Sequence, residues 1–137
     1  MQRILAIDYG TKRCGIAVSD PMQIIAQGLT TVHPNELIPF LNDYFKKEVV
    51  STIVLGYPLG LDDQPTDSTK YVEKLHQRFL RIYTDKEVVL WDERYTSKLA
   101  VQALVASGVR KSQRRNKALV DEVSATIILQ EYMESKR

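Results

Sequence analysis

Three acidic residues occupy positions where strands are expected to end or a helix to begin. Asp8 closes the apolar run ILAI, and Glu93 follows the run VVLW by one residue. Asp121 lies near the start of the last helical pattern, KALVDEVSATIILQ. Sites in open α/β sheets gather outside the carboxyl ends of strands, so the three carboxylates could converge there. Such an oxygen-only set of ligands suits a hard divalent cation, Mg²⁺ or Mn²⁺.

The chemistry that this site would support is hydrolysis of a phosphodiester bond. Two divalent ions about 3.5–4 Å apart would activate a water molecule and stabilise the leaving oxygen. Zinc is not expected, because His33 and His76 have no metal-ligand spacing to each other or to Cys14.

The two strand-end acids also have structural interpretations. Asp8 could cap its turn, and Glu93 could form a surface ion pair with Arg94. Asp92 could be the inward-facing acid in place of Glu93, because adjacent residues of a strand point to opposite faces.

Asp121 could simply interact favourably with the positive end of its helix, and Glu122 competes with it as the site residue. At helical spacing, Asp121 shares a largely apolar stripe with Ala125, Ile128 and Tyr132, which predicts that it points inward. The joint placement of the three acids predicts a site more strongly than any one of them.

Positive charge lies beside each acid. The connector VRKSQRRNK carries five cations and no acid, and it would contact phosphates well, although it could also be a solvated loop. Trp91 is expected in the core rather than stacked on bases, and Cys14 is expected to be a small core residue. The candidate nucleic-acid-binding residues are Lys12, Arg13, Arg94, Arg110, Lys111, Arg114, Arg115 and Lys117.

The elements that must position these residues follow from hydrophobic periodicity. Strands are predicted over residues 3–9, 15–19, 24–32, 51–58 and from 87. Helices are predicted within 35–48, from a cap at Thr66, Asp67 or Ser68 through Ile82, within 97–108 and from about 116. Val72, Leu75, Phe79 and Ile82 are the predicted apolar face of the second helix. Three strands followed by alternating helix and strand predict an α/β fold, a five-stranded mixed sheet with helices on both faces.

Length and composition limit the number of domains and the class of protein. The chain has 137 residues and 15.7 kDa, which suits one domain over residues 1–137, and 44% apolar content suits a folded core. A net charge of +2 is too small to identify a partner by itself. A single cysteine, no signal-peptide pattern and no apolar stretch of membrane-span length predict a cytoplasmic protein without membrane partners.

Four segments together resemble a known family. ILAIDYGTKRCGIAVSD, VLGYPLGLDD, WDERYTS and ALVDEVSATIILQEYM are similar, in order and spacing, to the signatures of the YqgF/RuvX family. The resemblance runs over essentially the whole chain. The loop departs from the usual family pattern at Asp63, where glycine is common, and at Tyr57, where a smaller or aliphatic residue is usual. These departures leave the acidic residues intact but put substrate contacts made by the loop in question.

The resemblance implies an RNase H-like fold and a metal site formed by Asp8, Glu93 and Asp121. Family members are described as nucleases that mature the precursor of 16S ribosomal RNA, and also as Holliday-junction-resolvase-like proteins. The expected partners are therefore structured RNA and a pre-ribosomal particle, bound by a monomer or weak dimer. The alternatives are a DNA junction endonuclease and a non-catalytic ribosome-assembly module.

IDYGTKRCGIAV also resembles the first phosphate-binding hairpin of the actin, sugar-kinase and Hsp70 ATPase superfamily. That machinery needs two related lobes around the nucleotide. A chain of 137 residues supplies one lobe, so length argues against this alternative.

Overall fold

The computed structural model of the chain describes residues 2–10, 12–57, 67–92 and 117–136. The strands are β1 (Arg3–Tyr9), β2 (Cys14–Ser19), β3 (Ala26–Val32), β4 (Val50–Tyr57) and β5 (Glu87–Asp92). The helices are a 3-10 turn (Pro34–Glu36), α1 (Leu37–Lys47), α2 (Asp67–Ile82) and α3 (Lys117–Ser135).

The five strands form one mixed sheet in the order β3-β2-β1-β4-β5. The first three strands pair antiparallel through short connections, whereas β4 and β5 join β1 as parallel strands. The near-continuous apolar run of β1 fits this arrangement, because the central strand is covered on both faces. The predicted five-stranded mixed sheet is confirmed.

Helices cover both faces of the sheet, as predicted. Helices α1 and α2 pack on one face against alternate residues such as Leu5 and Ile7. Helix α3 packs on the other face against Ile4 and Ala6. Because successive strand residues point to opposite faces, membership of one core or the other tells which way each strand side chain is directed.

The third strand begins two residues later than predicted. Asp20 accepts hydrogen bonds from the backbone N–H groups of Met22, Ile24 and Ile25, at 3.1, 2.7 and 2.8 Å. Gln23 adopts a positive φ of 58°, so this segment is a turn held by one carboxylate. Ile24 and Ile25 are 57% and 65% exposed and do not belong to the core.

The apolar face of α2 is predicted correctly except at its end. Val72, Leu75 and Phe79 are buried, but Ile82 is 45% exposed and the prediction for it is wrong. Tyr83 takes the buried position instead, since four residues after Phe79 returns to the same face. Its hydroxyl donates a hydrogen bond to Asn42 Oδ1 at 2.9 Å, which accounts for its burial.

The helix predicted over residues 97–108 lies outside the described residues. In the described portion of the chain, no helix combines the length and the apolarity needed to cross a membrane.

Candidate active site

Asp8 lies near the carboxyl end of β1, directly opposite Gly15 of β2. Ile4 and Ala6 belong to the core beneath α3, so the alternation of β1 directs Asp8 to the same side. Directly opposed residues of an antiparallel pair share a face, and the α-hydrogen position of Gly15 therefore points to α3 as well. The acid that ends the first strand faces the last helix.

Gly15 brings α3 onto the sheet at this point. A Cβ atom at Gly15 would overlap the backbone carbonyl group of Asp121. A side chain cannot be accommodated there without moving the helix backbone, so glycine is what allows this close approach. The turn of α3 that carries Asp121 thus lies on the residue paired with Asp8, which places both acids at one corner of the fold.

The pKa of the Cys14 thiol also indicates that Asp8 and Asp121 lie close together. Burial is the main cause that raises the pKa of Cys14, to about 12, against a smaller lowering by its backbone hydrogen bond with Gly10. The negative charges of Asp8 and Asp121 raise it further. Both carboxylates are therefore close enough to Cys14 to affect its ionisation. Cys14 itself is fully buried, which confirms the prediction of a core residue.

Asp121 is paired with a cation from the β1–β2 turn. Arg13 Nε donates a hydrogen bond to Asp121 Oδ2 at 2.7 Å, and the two side chains are 36% and 23% exposed. The Gly10 N–H group donates to the Arg13 carbonyl at 2.9 Å and closes the turn that presents the guanidinium. Exposure to solvent limits such a pair to less than about 1 kcal/mol of stability. The ion pair matters for the site because Arg13 is hydrogen-bonded to one carboxylate oxygen of Asp121, a candidate metal ligand.

The faces of α3 place Asp121 and Glu122 in different surroundings. The stripe of Ala125, Ile128 and Tyr132 is buried, as predicted, and it carries Asp121 inward. Glu122 lies instead over β3, where a Cβ at Gly28 would come within 2.5 Å of its Oε1 atom. Asp121, and not Glu122, is the acid at the corner with Asp8.

Strand alternation shows to which face of the sheet Asp92, the alternative to Glu93, is directed. Trp91 packs on the α3 side and Leu90 on the α1/α2 side, so the alternation of β5 directs Asp92 to the α1/α2 side. Asp92 is exposed and lies on the face opposite to that of Asp8. Glu93 lies outside the described residues.

Of the remaining predicted site residues, Lys12 is described by the structure and the others are not. Lys12 is exposed beside Arg13 in the turn after β1. Arg94, Arg110, Lys111, Arg114 and Arg115, together with the side chain of Lys117, lie outside the described residues.

Trp91 packs against α3, and the prediction that it belongs to the core is confirmed. Its Nε1–H donates to Glu131 Oε2 at 3.0 Å. Its ring meets that of Tyr132 edge to face, with centroids 5.7 Å apart. Both contacts use the ring for internal packing.

Sequence reasoning missed the roles of Gly15 and of the Arg13–Asp121 ion pair. The available signal was a glycine inside an otherwise apolar strand, which often marks a close approach of another backbone. Within the described ranges, no three histidine, cysteine or acidic side chains are grouped closely enough to hold a metal ion. The described part of the site contributes two carboxylates, both of them oxygen donors suited to a hard cation.

The fold is shared with a structural relative. Thermus thermophilus RuvC, solved in complex with a Holliday junction substrate, superimposes with a TM-score of 0.59 at 14% identity, covering 99% of this chain and 96% of that chain. The five-stranded mixed sheet with helices on both faces is the RNase H-like fold.

Sequence comparison identifies the family. The profile of RuvX, described as Holliday junction resolvase, matches residues 2–135. A relative from Flavobacterium johnsoniae is 52% identical over 137 residues, covering 100% of this chain and 99% of the relative. A Bacteroides fragilis relative is 50% identical over 137 residues with the same coverage. Both bear the name "Putative pre-16S rRNA nuclease". The chain belongs to the RuvX family.

Proposed function

We propose that this RuvX-family protein is a divalent-metal-dependent nuclease that processes the precursor of 16S ribosomal RNA. Asp8, Glu93 and Asp121 are assigned as its catalytic and metal-binding residues. The observation that carries the assignment is the close approach of the Asp121 backbone to Gly15, the residue paired with Asp8. The names of relatives about 50% identical over the full chain support the choice of substrate.

The donor set fits Mg²⁺ or Mn²⁺. Asp8 and Asp121 offer carboxylate oxygens at one corner, and Cys14 is buried with its pKa raised to about 12, so it does not compete as a soft ligand. The third carboxylate is assigned to Glu93 from the sequence pattern, because adjacent strand residues point to opposite faces and Asp92 points away from Asp8. A bound ion supplies Lewis-acid polarisation of the phosphate and a lowered pKa for the attacking water.

The chain's own residues bind and orient the scissile phosphate. Asp8 from β1 and Asp121 from α3 would present their carboxylates to the metal ion at the corner where the helix meets the sheet. Arg13 provides a planar guanidinium suited to phosphate oxygens once it is released from Asp121. Lys12 lies beside it, exposed to the approaching backbone. These cations bind phosphate and neutralise charge, while the acids position the metal.

The remaining predicted contacts belong to the same proposal. Structured RNA, presented within a pre-ribosomal particle in the cytoplasm, is bound by one domain over residues 1–137, acting as a monomer or weak dimer. The phosphate contacts assigned to the rest of the chain are Arg94, Arg110, Lys111, Arg114, Arg115 and Lys117.

A DNA substrate is the second candidate, because the matching family profile is described as Holliday junction resolvase. The acidic corner would serve either polynucleotide, since both present the same phosphodiester. Recognition of RNA requires contact with the 2′-hydroxyl group, and substrate comparison therefore separates the two candidates.

The test is cleavage of a 16S precursor fragment, a four-way DNA junction and a linear duplex with Mn²⁺ or Mg²⁺. We expect metal-dependent cleavage of the precursor, and a loss of at least about 100-fold in Asp8→Asn and Asp121→Asn, because each removes a ligand charge at constant shape. Asp92→Asn is the matched control on the opposite face, and it should stay within a few-fold of the wild-type rate.

Three outcomes contradict parts of this proposal. Preferential cleavage of the junction would replace RNA by DNA as the substrate. Full activity in purified Asp8→Asn would remove the acidic corner as the site. Binding without cleavage of any substrate would favour a non-catalytic assembly module.

A further inference from the structure

Helix α2 borders a second feature with nucleic-acid-binding chemistry. A groove of about 840 Å³ lies between α2 and the ends of β4 and β5, on the face of the sheet opposite to Asp8 and Asp121. Tyr57 and Leu90 line its sheet side. The ionisable residues that line its helix side are Lys70, Glu73, Lys74, His76, Arg78 and Arg81.

The charge of the groove is strongly positive. Lys70, Lys74, Arg78 and Arg81 are exposed, and over the described residues no carboxylate lies within ion-pair distance of any of them. Glu73 is the acidic residue lining the groove, and its Oε1 atom accepts a hydrogen bond from the Tyr57 hydroxyl at 2.6 Å. Four cations therefore face the groove against one carboxylate.

Helix stability does not account for this pattern. The packing of α2 is provided by its opposite face, where Val72, Leu75 and Phe79 are buried. Lys70 is the fourth residue of the helix, close to the amino-terminal end, where the helix dipole disfavours a cation. Arg81 alone lies in the last turn, where the dipole favours it.

The spacing of the cations suits a phosphate backbone. Three of the cations lie on one face of the helix, because Lys74 is four residues after Lys70 and Arg81 is seven residues after Lys74. The stripe covers about 16 Å along the helix axis at 1.5 Å per residue. Each strand of a B-form double helix carries one phosphate per 3.4 Å of axis, which places about five phosphates along this length.

The groove begins at the same edge of the sheet as the proposed acidic site. Tyr57, which lines it, ends β4 and is paired with Asp92 at the end of β5. This is the carboxyl edge of the parallel strands, where Asp8 also lies at the end of β1. A polynucleotide chain that crosses this edge from the acidic corner would pass Tyr57 and enter the groove.

We propose that the α2 groove is a second binding surface for the sugar–phosphate backbone of the polynucleotide substrate, outside the acidic corner. Lys70, Lys74 and Arg81 bind the phosphates of the segment that flanks the cleaved bond. The identity of the polynucleotide rests on the function proposed above. The groove contributes affinity and register and takes no part in bond cleavage.

The experiment measures RNA binding in the absence of metal, so that cleavage cannot occur. Fluorescence anisotropy with a labelled hairpin carrying a single-stranded tail gives Kd over a series of salt concentrations. The variant is Lys70→Gln/Lys74→Gln/Arg81→Gln. The matched control is Lys46→Gln/Lys47→Gln/Lys136→Gln, which removes the same charge from exposed positions away from the groove. Circular dichroism and melting confirm that both variants fold.

We expect the groove variant to weaken binding by roughly 10–100-fold and to lower the log–log salt slope by about 2, because up to three phosphate contacts are lost. The control should change the slope by less than half as much. Single-turnover cleavage of a short substrate confined to the acidic corner should be the same in the groove variant and in wild type.

Equal salt slopes in the groove variant and the control would overturn the proposal. If Asp8→Asn still abolishes cleavage in that case, the proposed function stands and only the groove assignment fails. If instead the groove variant loses affinity while Asp8→Asn retains cleavage, the groove assignment stands and the acidic site fails. A wild-type protein that binds neither RNA nor DNA would overturn both.

Discussion

At the scale of single residues, the contact between Arg13 and Asp121 connects the two kinds of chemistry at the site. One guanidinium nitrogen lies 2.7 Å from an oxygen that the proposed function gives to a metal ion. If Asp121 binds a divalent cation, as proposed above, the cation and the guanidinium would compete for its carboxylate. The arginine released in that exchange would be free to donate hydrogen bonds to a phosphate of the substrate.

Removal of this guanidinium should strengthen metal binding. We expect Arg13→Gln to bind Mn²⁺ several-fold more tightly than wild type in calorimetric titrations without nucleic acid, and to lose less than about 1 kcal/mol of stability. Arg3→Gln is the matched control, because Arg3 pairs with Glu48 at 3.2 Å, outside the acidic corner. Equal Mn²⁺ affinity in Arg13→Gln and Arg3→Gln would show that the guanidinium and the metal do not share Asp121.

At the scale of elements, two glycines determine how α3 lies on the sheet. Gly15 of β2 faces backbone atoms of Asp121 and Glu122, whereas Gly28 of β3 faces the side chain of Glu122. The hydroxyl of Thr31 donates to the Ala118 carbonyl at 2.8 Å and attaches the first turn of the helix to the same edge. The position of Asp121 at the site therefore depends on backbone contact.

The two glycines should differ in their response to a methyl group. Gly15→Ala should destabilise the protein by about 1–3 kcal/mol or more in urea unfolding and should reduce cleavage, because α3 must move to relieve the overlap. Gly28→Ala should cost less than Gly15→Ala, because the Glu122 side chain has to change rotamer but no backbone atom of α3 has to move. The same loss of stability in both variants would mean that α3 does not depend on close contact at Gly15.

At the scale of the whole molecule, two buried titratable groups share the core beneath α1 and α2. Burial raises the pKa of the Cys14 thiol from 9.0 to about 12, and burial likewise raises the pKa of the Tyr83 hydroxyl from 10.0 to about 12. Both groups belong to the cluster that also contains Leu41 and Phe79. Neither can ionise without bringing a charge into that core.

Alkaline pH should therefore weaken the fold. A group with a raised folded pKa stabilises the native state fully below its unfolded pKa, and loses that stabilisation as pH rises through its folded value. The free energy of unfolding should fall between about pH 9 and pH 12, and urea midpoints measured at intervals across this range test it.

A conservative variant isolates the contribution of the tyrosine. Tyr83→Phe should be less stable at neutral pH by about 1 kcal/mol, because its hydrogen bond to Asn42 is lost, and its alkaline decline should be shallower than that of wild type. Tyr71→Phe, at a 50% exposed position, should retain the wild-type decline. Identical alkaline profiles for all three proteins would exclude Tyr83 as a cause.

Local patterns in the sequence were enough to predict the sheet and the helices that flank it. Strand alternation and helical periodicity depend on neighbours a few residues apart, which is why the buried stripe of Ala125, Ile128 and Tyr132 was predicted correctly. Errors occurred where a local signal was ambiguous. Ile82 and Tyr83 both continue the apolar face of α2, and packing against Asn42 selected Tyr83. Asp20 held Ile24 and Ile25 in a turn that their apolar character did not indicate.

Sequence patterns were sufficient for the succession of strands and helices along the chain, the apolar faces of the helices and the acids that could form a site. Tertiary packing was needed to place Asp121 at the corner with Asp8 and Glu122 over β3, to pair Arg13 with Asp121 across 108 residues, and to line a groove with the cations of α2. The physical reason is that periodicity describes how an element faces its own neighbours. The approach of α3 to Gly15 depends on the packing of distant elements, and no local pattern contains that distance.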